Sequence, residues 1–205
     1  MLDSVGLQEL HRELLRKSMG DNDSNEVLTI VNVNDYNQKV ITFGSERSVM
    51  PSKNIEALTM MQKSKYQSVY WLHNHGFTNE FSYNDLGCFY DERIKALTIV
   101  TNKGKIAVMN KTKKYSVQKF RDIIIEERGK YENPIDHSDE IAKAILRRHN
   151  ECGDSVDKVM NMEPNRPLII PKELMSPDAE TKKNWDLFDD MLKQTEELIK
   201  SGKLD

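Results

Sequence analysis

Cysteine is nearly missing from this 205-residue chain: only Cys88 and Cys152 occur, too few for a framework of bridges. No run approaches the ~20 consecutive apolar residues that a bilayer-spanning helix needs. Residues 1–20 carry charges throughout and hold no continuous apolar segment, so they do not read as a secretory leader. Neither sign of charge dominates: 30 Lys and Arg against 33 Asp and Glu leave a formal charge of -3. The short basic runs at 111–114 and 147–148 are diluted by acids, which argues against a nucleic-acid surface built on clustered cations. A Gly-rich strand–helix junction that would cradle phosphate is lacking too, since Lys103-Gly104 belongs to a hairpin turn. Sparse cysteine suits a reducing compartment, and a cytoplasmic protein without membrane association is expected.

What is present is enough for one domain of ordinary size plus a tail, or for two small domains. Apolar residues make up 38% and charged residues 31%, which allows a modest core under a heavily solvated surface. Leu7, Leu10, Leu14 and Leu15 recur at helical spacing, and the turn formers of 20–25 end that helix. Residues 26–32 and 39–43 read as a hairpin around Asn34-Asp35-Tyr36-Asn37. Pro51-Ser52 opens a second helix with Ile55, Leu58 and Met61 on its apolar face. Residues 67–72 form a third strand, Ser82 starts a helix to about 91, and 96–101 with 105–109 make another hairpin around Asn102-Lys103-Gly104. The order α, β, β, α, β, α, β, β implies an α+β fold, with a mixed or antiparallel sheet flanked by helices. Helices over 117–131 and 138–152, a proline-punctuated stretch over 164–177 and a final helix over 178–201 follow. The expected organisation is therefore a domain at 1–112 and a helical C-terminal appendage at 113–205. Trp185 and Phe188 read as core or docking residues of that appendage, through which a partner is expected to dock.

The chemistry-bearing residues lie where the third strand ends. His73 and His75 are two apart, and in an extended chain residues i and i+2 share a face, so both imidazoles can converge on one ion. Asp85, in the first turn of the next helix, supplies a carboxylate beside that strand end. Three such ligands leave a tetrahedral position for water, the arrangement of a catalytic zinc. No cysteine is spaced to close that position, although Cys88 stands one turn beyond Asp85. Each element also has a plain structural reading. A His at a strand end is commonly a polar cap, and Ser82-x-x-Asp85 is a capping box.

Taken together, Leu72-His73-Asn74-His75 followed by Phe81-Ser82-x-x-Asp85 resembles the JAB/JAMM (MPN) metalloprotease motif, and most closely its bacterial RadC-like branch. Glu26 opens the first strand where that family places a Glu, and the run 26–41 is similar to the RadC-like pattern of Glu, apolar strand, Asn/Asp turn and second strand. The resemblance spans residues 20–110. It implies cytidine-deaminase-like layering and a Zn(2+) site held by His73, His75 and Asp85. It also implies Glu26 as general base, Ser82 as a donor to the tetrahedral oxyanion, and a protein or peptide substrate cut at a peptide or isopeptide bond. The chain departs from the family at Gly76, which replaces the usual Pro, and in a loop one residue shorter before Ser82. Gly76 relaxes the backbone there, so the helix start is expected to stay in place.

Other uses of the same letters fit less well. HNH nucleases spread theirs across a ββα finger, a cupin would continue in strands where Ser82 turns helical, and a TIM barrel needs eight βα units. The alternative from a different class is a non-peptidase accessory of a phage or mobile element, a metal-binding scaffold that docks through its C-terminal helices.

Overall fold

Alternation along the strands, apolar on both faces, organises the molecule. The computed structural model describes residues 4–76 and 78–161. In β1 (Val27–Asn32), Leu28 and Ile30 point to one side of the sheet and Val27 and Val31 to the other, and all are buried. The same split recurs in β3 (Val69–His75), with Val69 and Trp71 on the first side and Tyr70 and Leu72 on the second. A sheet apolar on both faces must be covered on both. Helix α1 (Ser4–Asp21) covers one face with Leu7, Leu10, Leu14 and Leu15. It has no acidic residue in its first turn and no basic one in its last. Burial of the leucines, on the order of 2 kcal/mol each, therefore anchors it rather than charge–dipole terms.

The six strands, completed by β2 (Asp35–Phe43), β4 (Ile94–Thr101), β5 (Lys105–Lys111) and β6 (Asp154–Asn161), run in the order β2-β1-β3-β4-β5-β6. Only β3 and β4 are parallel; the other neighbours are antiparallel. The parallel pair needs a crossover, which α3 (Tyr83–Phe89) provides. That crossover starts at the carboxyl end of β3, the side of a sheet on which open α/β folds place their sites. The architecture is thus α+β, a mixed sheet flanked by helices. No described helix is long and apolar enough to cross a membrane.

Three features differ from the sequence expectation. First, α2 (Ile55–Lys63) buries Met61 as expected, but with Ala57 beside it, while Ile55 is 75% exposed and Leu58 lies at the surface. Asn54 sets that rotation: its Nδ2 donates to the Ile41 carbonyl and Thr42 Oγ1, and its Oδ1 caps Glu56 N and Ala57 N. Trp71 Nε1 then meets Met61 Sδ at 3.3 Å. Second, residues 113–161 were expected within a helical appendage. Instead α4 (Val117–Arg128) and α5 (Ser138–Arg147) bury Phe120, Ile123, Ile141 and Ile145 in the same cluster as Leu28 and Trp71. Third, a short helix α6 (His149–Cys152) leads through Gly153, at φ +78°, into β6 on the sheet edge. A Cβ there would lie 2.5 Å from the Lys114 carbonyl oxygen, so the turn depends on glycine. The proline-bearing stretch and the final helix with Trp185 and Phe188 lie outside the described residues.

Under α1, fully buried His11 bonds the Leu7 carbonyl through Nδ1 (2.9 Å) and Thr98 Oγ1 through Nε2 (2.8 Å). Burial pulls its pKa from 6.5 to about 3. Between those values the unfolded chain binds a proton that the folded chain does not, so stability is full above 6.5 and declines as pH falls towards 3. The loss attributable to His11 is on the order of 4 kcal/mol. Urea unfolding of wild type and His11→Gln at pH 7 and pH 4 checks this. The wild type should lose more stability between the two than the variant, and equal losses would refute the assignment.

Candidate metal centre

His73 and His75 leave β3 on its Trp71 side, facing α3, as period two requires. Between that strand and α3 the chain turns through Gly76, and Phe81, 2% exposed, pins the turn to the core. Ser82 then caps α3. Its Oγ accepts from Asp85 N at 3.2 Å, and its backbone N–H donates back to Asp85 Oδ2 at 2.8 Å. This reciprocal box holds the Asp85 side chain over the strand end. His73 Nε2 lies 3.0 Å from His75 Nε2 and 3.1 Å from Asp85 Oδ1, and His75 Nε2 lies 3.6 Å from Asp85 Oδ2. Donors bonded at about 2.0–2.1 Å in a tetrahedron stand roughly 3.3 Å apart, so these separations suit one ion. The three residues form a group that could hold a metal ion.

The outer nitrogens are held as well. His73 bonds the Thr98 backbone and His75 the Thr78 backbone. A neutral imidazole held at one nitrogen by a backbone carbonyl offers the lone pair of the other to an ion, as in the backed imidazoles of metal sites. Two lone pairs and a carboxylate this close repel one another unless a cation sits among them, either a proton or a metal ion. The pKa values follow that picture. Burial pulls His73 down, but Asp85, with Glu26, more than reverses this and holds it above 6.5. His75, desolvated and beside His73, drops to about 4. Burial alone would raise Asp85, yet the imidazoles and Ser82 hold it far below the usual carboxylate range. Without metal, then, His73 holds a proton against Asp85 more tightly than an ordinary imidazole would.

Glu26 precedes β1, whose antiparallel pairing sets Leu28 opposite His73. Two further residues along that register bring Glu26 level with His75 on the same side of the sheet. Its backbone is clamped: the N–H donates to the Ser45 carbonyl, and its carbonyl accepts from Gly44 N and Asn22 Nδ2. Desolvation raises its pKa to about 7; His73 lowers it and Asp85 adds to the rise. It stands outside the ligand group, as does Cys88, whose thiol burial and the carboxylates of Asp85 and Asp91 push up to about 11.

Ser82 is placed differently from its expected role. Its hydroxyl donates to Asp85 Oδ2 at 2.7 Å, so its single proton is engaged by the carboxylate rather than presented to an oxyanion. Ser82→Ala should weaken metal affinity about 10- to 100-fold, as loss of an outer partner does, and cost about 1 kcal/mol as a lost cap. Competition with a chromogenic chelator and a urea titration read the two effects, and unchanged affinity would mean that Ser82 only caps. Sequence reasoning missed Thr98 and Thr78. They act through backbone carbonyls, which leave no mark on residue type.

No family model matches the chain, and no curated protein or solved structure matches it either.

Proposed function

We propose that this chain is a zinc-dependent hydrolase of the JAB/JAMM kind, holding the ion through His73, His75 and Asp85 and cleaving a peptide or isopeptide bond. The observation that carries the reading is the convergence of those three side chains beside a carboxylate that is desolvated, near neutral in pKa and not itself a ligand. Two imidazoles and one carboxylate without thiolate match the donor set of hydrolytic rather than structural zinc. Bound zinc supplies Lewis acidity, which moves the pKa of water from 15.7 towards about 7. Glu26 takes a proton from the attacking water as its oxygen bonds the carbonyl carbon. It returns that proton to the nitrogen as the C–N bond breaks, and a pKa of about 7 suits both transfers. Ser82 keeps Asp85 ionised and aimed at His73 throughout. The substrate class is a protein or peptide.

The test strips the purified protein with chelator, restores zinc and follows hydrolysis of a lysine isopeptide linked to a fluorophore. Activity should vanish and return with about one equivalent of metal. Hydrolysis indifferent to chelation would overturn the proposal. Iron rather than zinc in the protein as purified would redirect it to redox chemistry, which a two-His, one-carboxylate face also serves. Tight zinc without hydrolysis would favour the scaffold reading.

A further inference from the structure

Between the two histidines stands Asn74, whose side chain points to the opposite face of the sheet. Its companions there, Tyr70 and Leu72, are apolar and pack beneath α1. Asn74 is 1% exposed, and an amide buried in such a layer costs free energy unless its hydrogen bonds are made. They are made: two run to the residues on either side of Glu26 and the third to Ser18 of α1. Asn74 Oδ1 accepts from Val27 N at 2.7 Å, and Nδ2 donates to the Asn25 carbonyl at 3.4 Å. Nδ2 also donates to Ser18 Oγ at 3.1 Å, and fully buried Ser18 donates to the same Asn25 carbonyl at 2.6 Å. The peptide groups on both sides of Glu26 are thus tied to the residue between the two imidazoles. The approach to β1 is a tight turn in which Asp23 and Ser24 adopt positive φ, so local preference alone does not hold it.

We infer that Asn74 is the positioning residue for Glu26. Through Val27 N–H and Asn25 C=O, with Ser18 as its brace, it sets the carboxylate against the His73–His75–Asp85 group. This rests on the proposed hydrolase reading for its consequence in catalysis, though not for the placement itself. One strand residue faces α1 while its two neighbours face α3, so the rung that orients the ligands also locks the strand bearing the base. Cross-sheet fixation of this kind couples two elements that a flexible turn would leave to drift, and misplacement by about 1 Å costs on the order of 100-fold in rate.

The experiment compares wild type, Asn74→Ala, Asn74→Asp and Ser18→Ala in zinc content, isopeptide hydrolysis and amide hydrogen exchange at Val27. Asn74→Ala should keep its zinc and its KM, lose about 100-fold in kcat, and exchange Val27 rapidly. Asn74→Asp, which still accepts from Val27 N–H, should recover about tenfold of that loss, and Ser18→Ala should lose less than Asn74→Ala. A merely structural role would lower folded fraction, zinc content and kcat together and would show no rescue, which would overturn the inference. So would wild-type kcat in Asn74→Ala. A wild type that binds zinc but hydrolyses nothing refutes the hydrolase reading, and exchange then decides the placement. Protection of Val27 that survives Asn74→Ala refutes it, and protection lost there but kept in Asn74→Asp supports it. Should Asn74→Ala fail to fold, Ser18→Ala and Asn74→Asp carry the same comparison.

Discussion

Zinc added to the metal-stripped protein is expected to raise its melting temperature by about 8–16 °C, and His75→Ala is expected to abolish most of that rise. A ligand that binds only the folded state stabilises it by about 4 kcal/mol at a thousandfold excess over Kd. For a domain of this size each kcal/mol is worth roughly 2–4 °C. The effect should be large because the site is already drawn together. Nε2 atoms 3.0 Å apart and a carboxylate oxygen at 3.1 Å are held by backbone carbonyls and a capping box, so little ordering remains to be done on binding. The pH dependence follows from His73, whose pKa lies above 6.5 because Asp85 outweighs burial. Metal must displace that proton, so zinc affinity falls as pH falls and begins to do so above the range of an ordinary histidine. Differential scanning fluorimetry with and without zinc, between pH 8 and pH 5, reads both effects. A zinc shift equal in wild type and His75→Ala would remove the metal centre.

Glu26→Gln should lower kcat by about 10²- to 10⁴-fold, equivalent to about 3–5.5 kcal/mol of transition-state stabilisation, while zinc content stays at the wild-type level. Glutamine keeps the size of the side chain and the clamped backbone of Glu26 but cannot accept the proton of water. Retained zinc distinguishes a base from a ligand, and Glu26 stands outside the ligand group. Stability should move the opposite way to rate. Desolvation raises the Glu26 pKa from 4.5 to about 7, so the folded state holds a proton that the unfolded state has released. Wild-type stability therefore declines as pH rises through that interval, and the variant, which carries no charge there, should melt higher than wild type at pH 8. An unchanged hydrolysis rate in Glu26→Gln would exclude the carboxylate from the chemistry. Loss of zinc in the same variant would make it a ligand instead.

Much of the site was legible because its parts are local. His73 and His75 share a face by strand geometry alone, and Ser82 with Asp85 forms a capping box by helix geometry alone. The cap reading of Asp85 is realised, and the same geometry leaves it in a group that could hold a metal ion. Oδ2 takes the bonds from Ser82, and Oδ1 faces His73. The turn after Gly76 keeps Asp85 within reach, with Phe81 buried to hold it. Less legible was the face that α2 buries. Its periodicity favoured Ile55, Leu58 and Met61, of which only Met61 is buried; the Asn54 contacts to β2 turned Ala57 inward beside it. The strand β6 was not legible at all. Asp-Ser-Val-Asp-Lys-Val-Met-Asn has little apolar alternation, and it becomes a strand by pairing with the open edge of β5.

By itself the sequence determined the elements whose period is written in neighbouring residues: the strands apolar on both faces, the leucine stripe of α1, the paired imidazoles and the capped aspartate. Tertiary structure decided which elements meet. Pairing of β1 with β3 sets Leu28 opposite His73 and lets Asn74 reach Val27 across 47 positions of chain. The physical reason is that periodicity and capping act over a few bonds. Strand pairing is chosen by burial of whole faces, which no short stretch of residues contains.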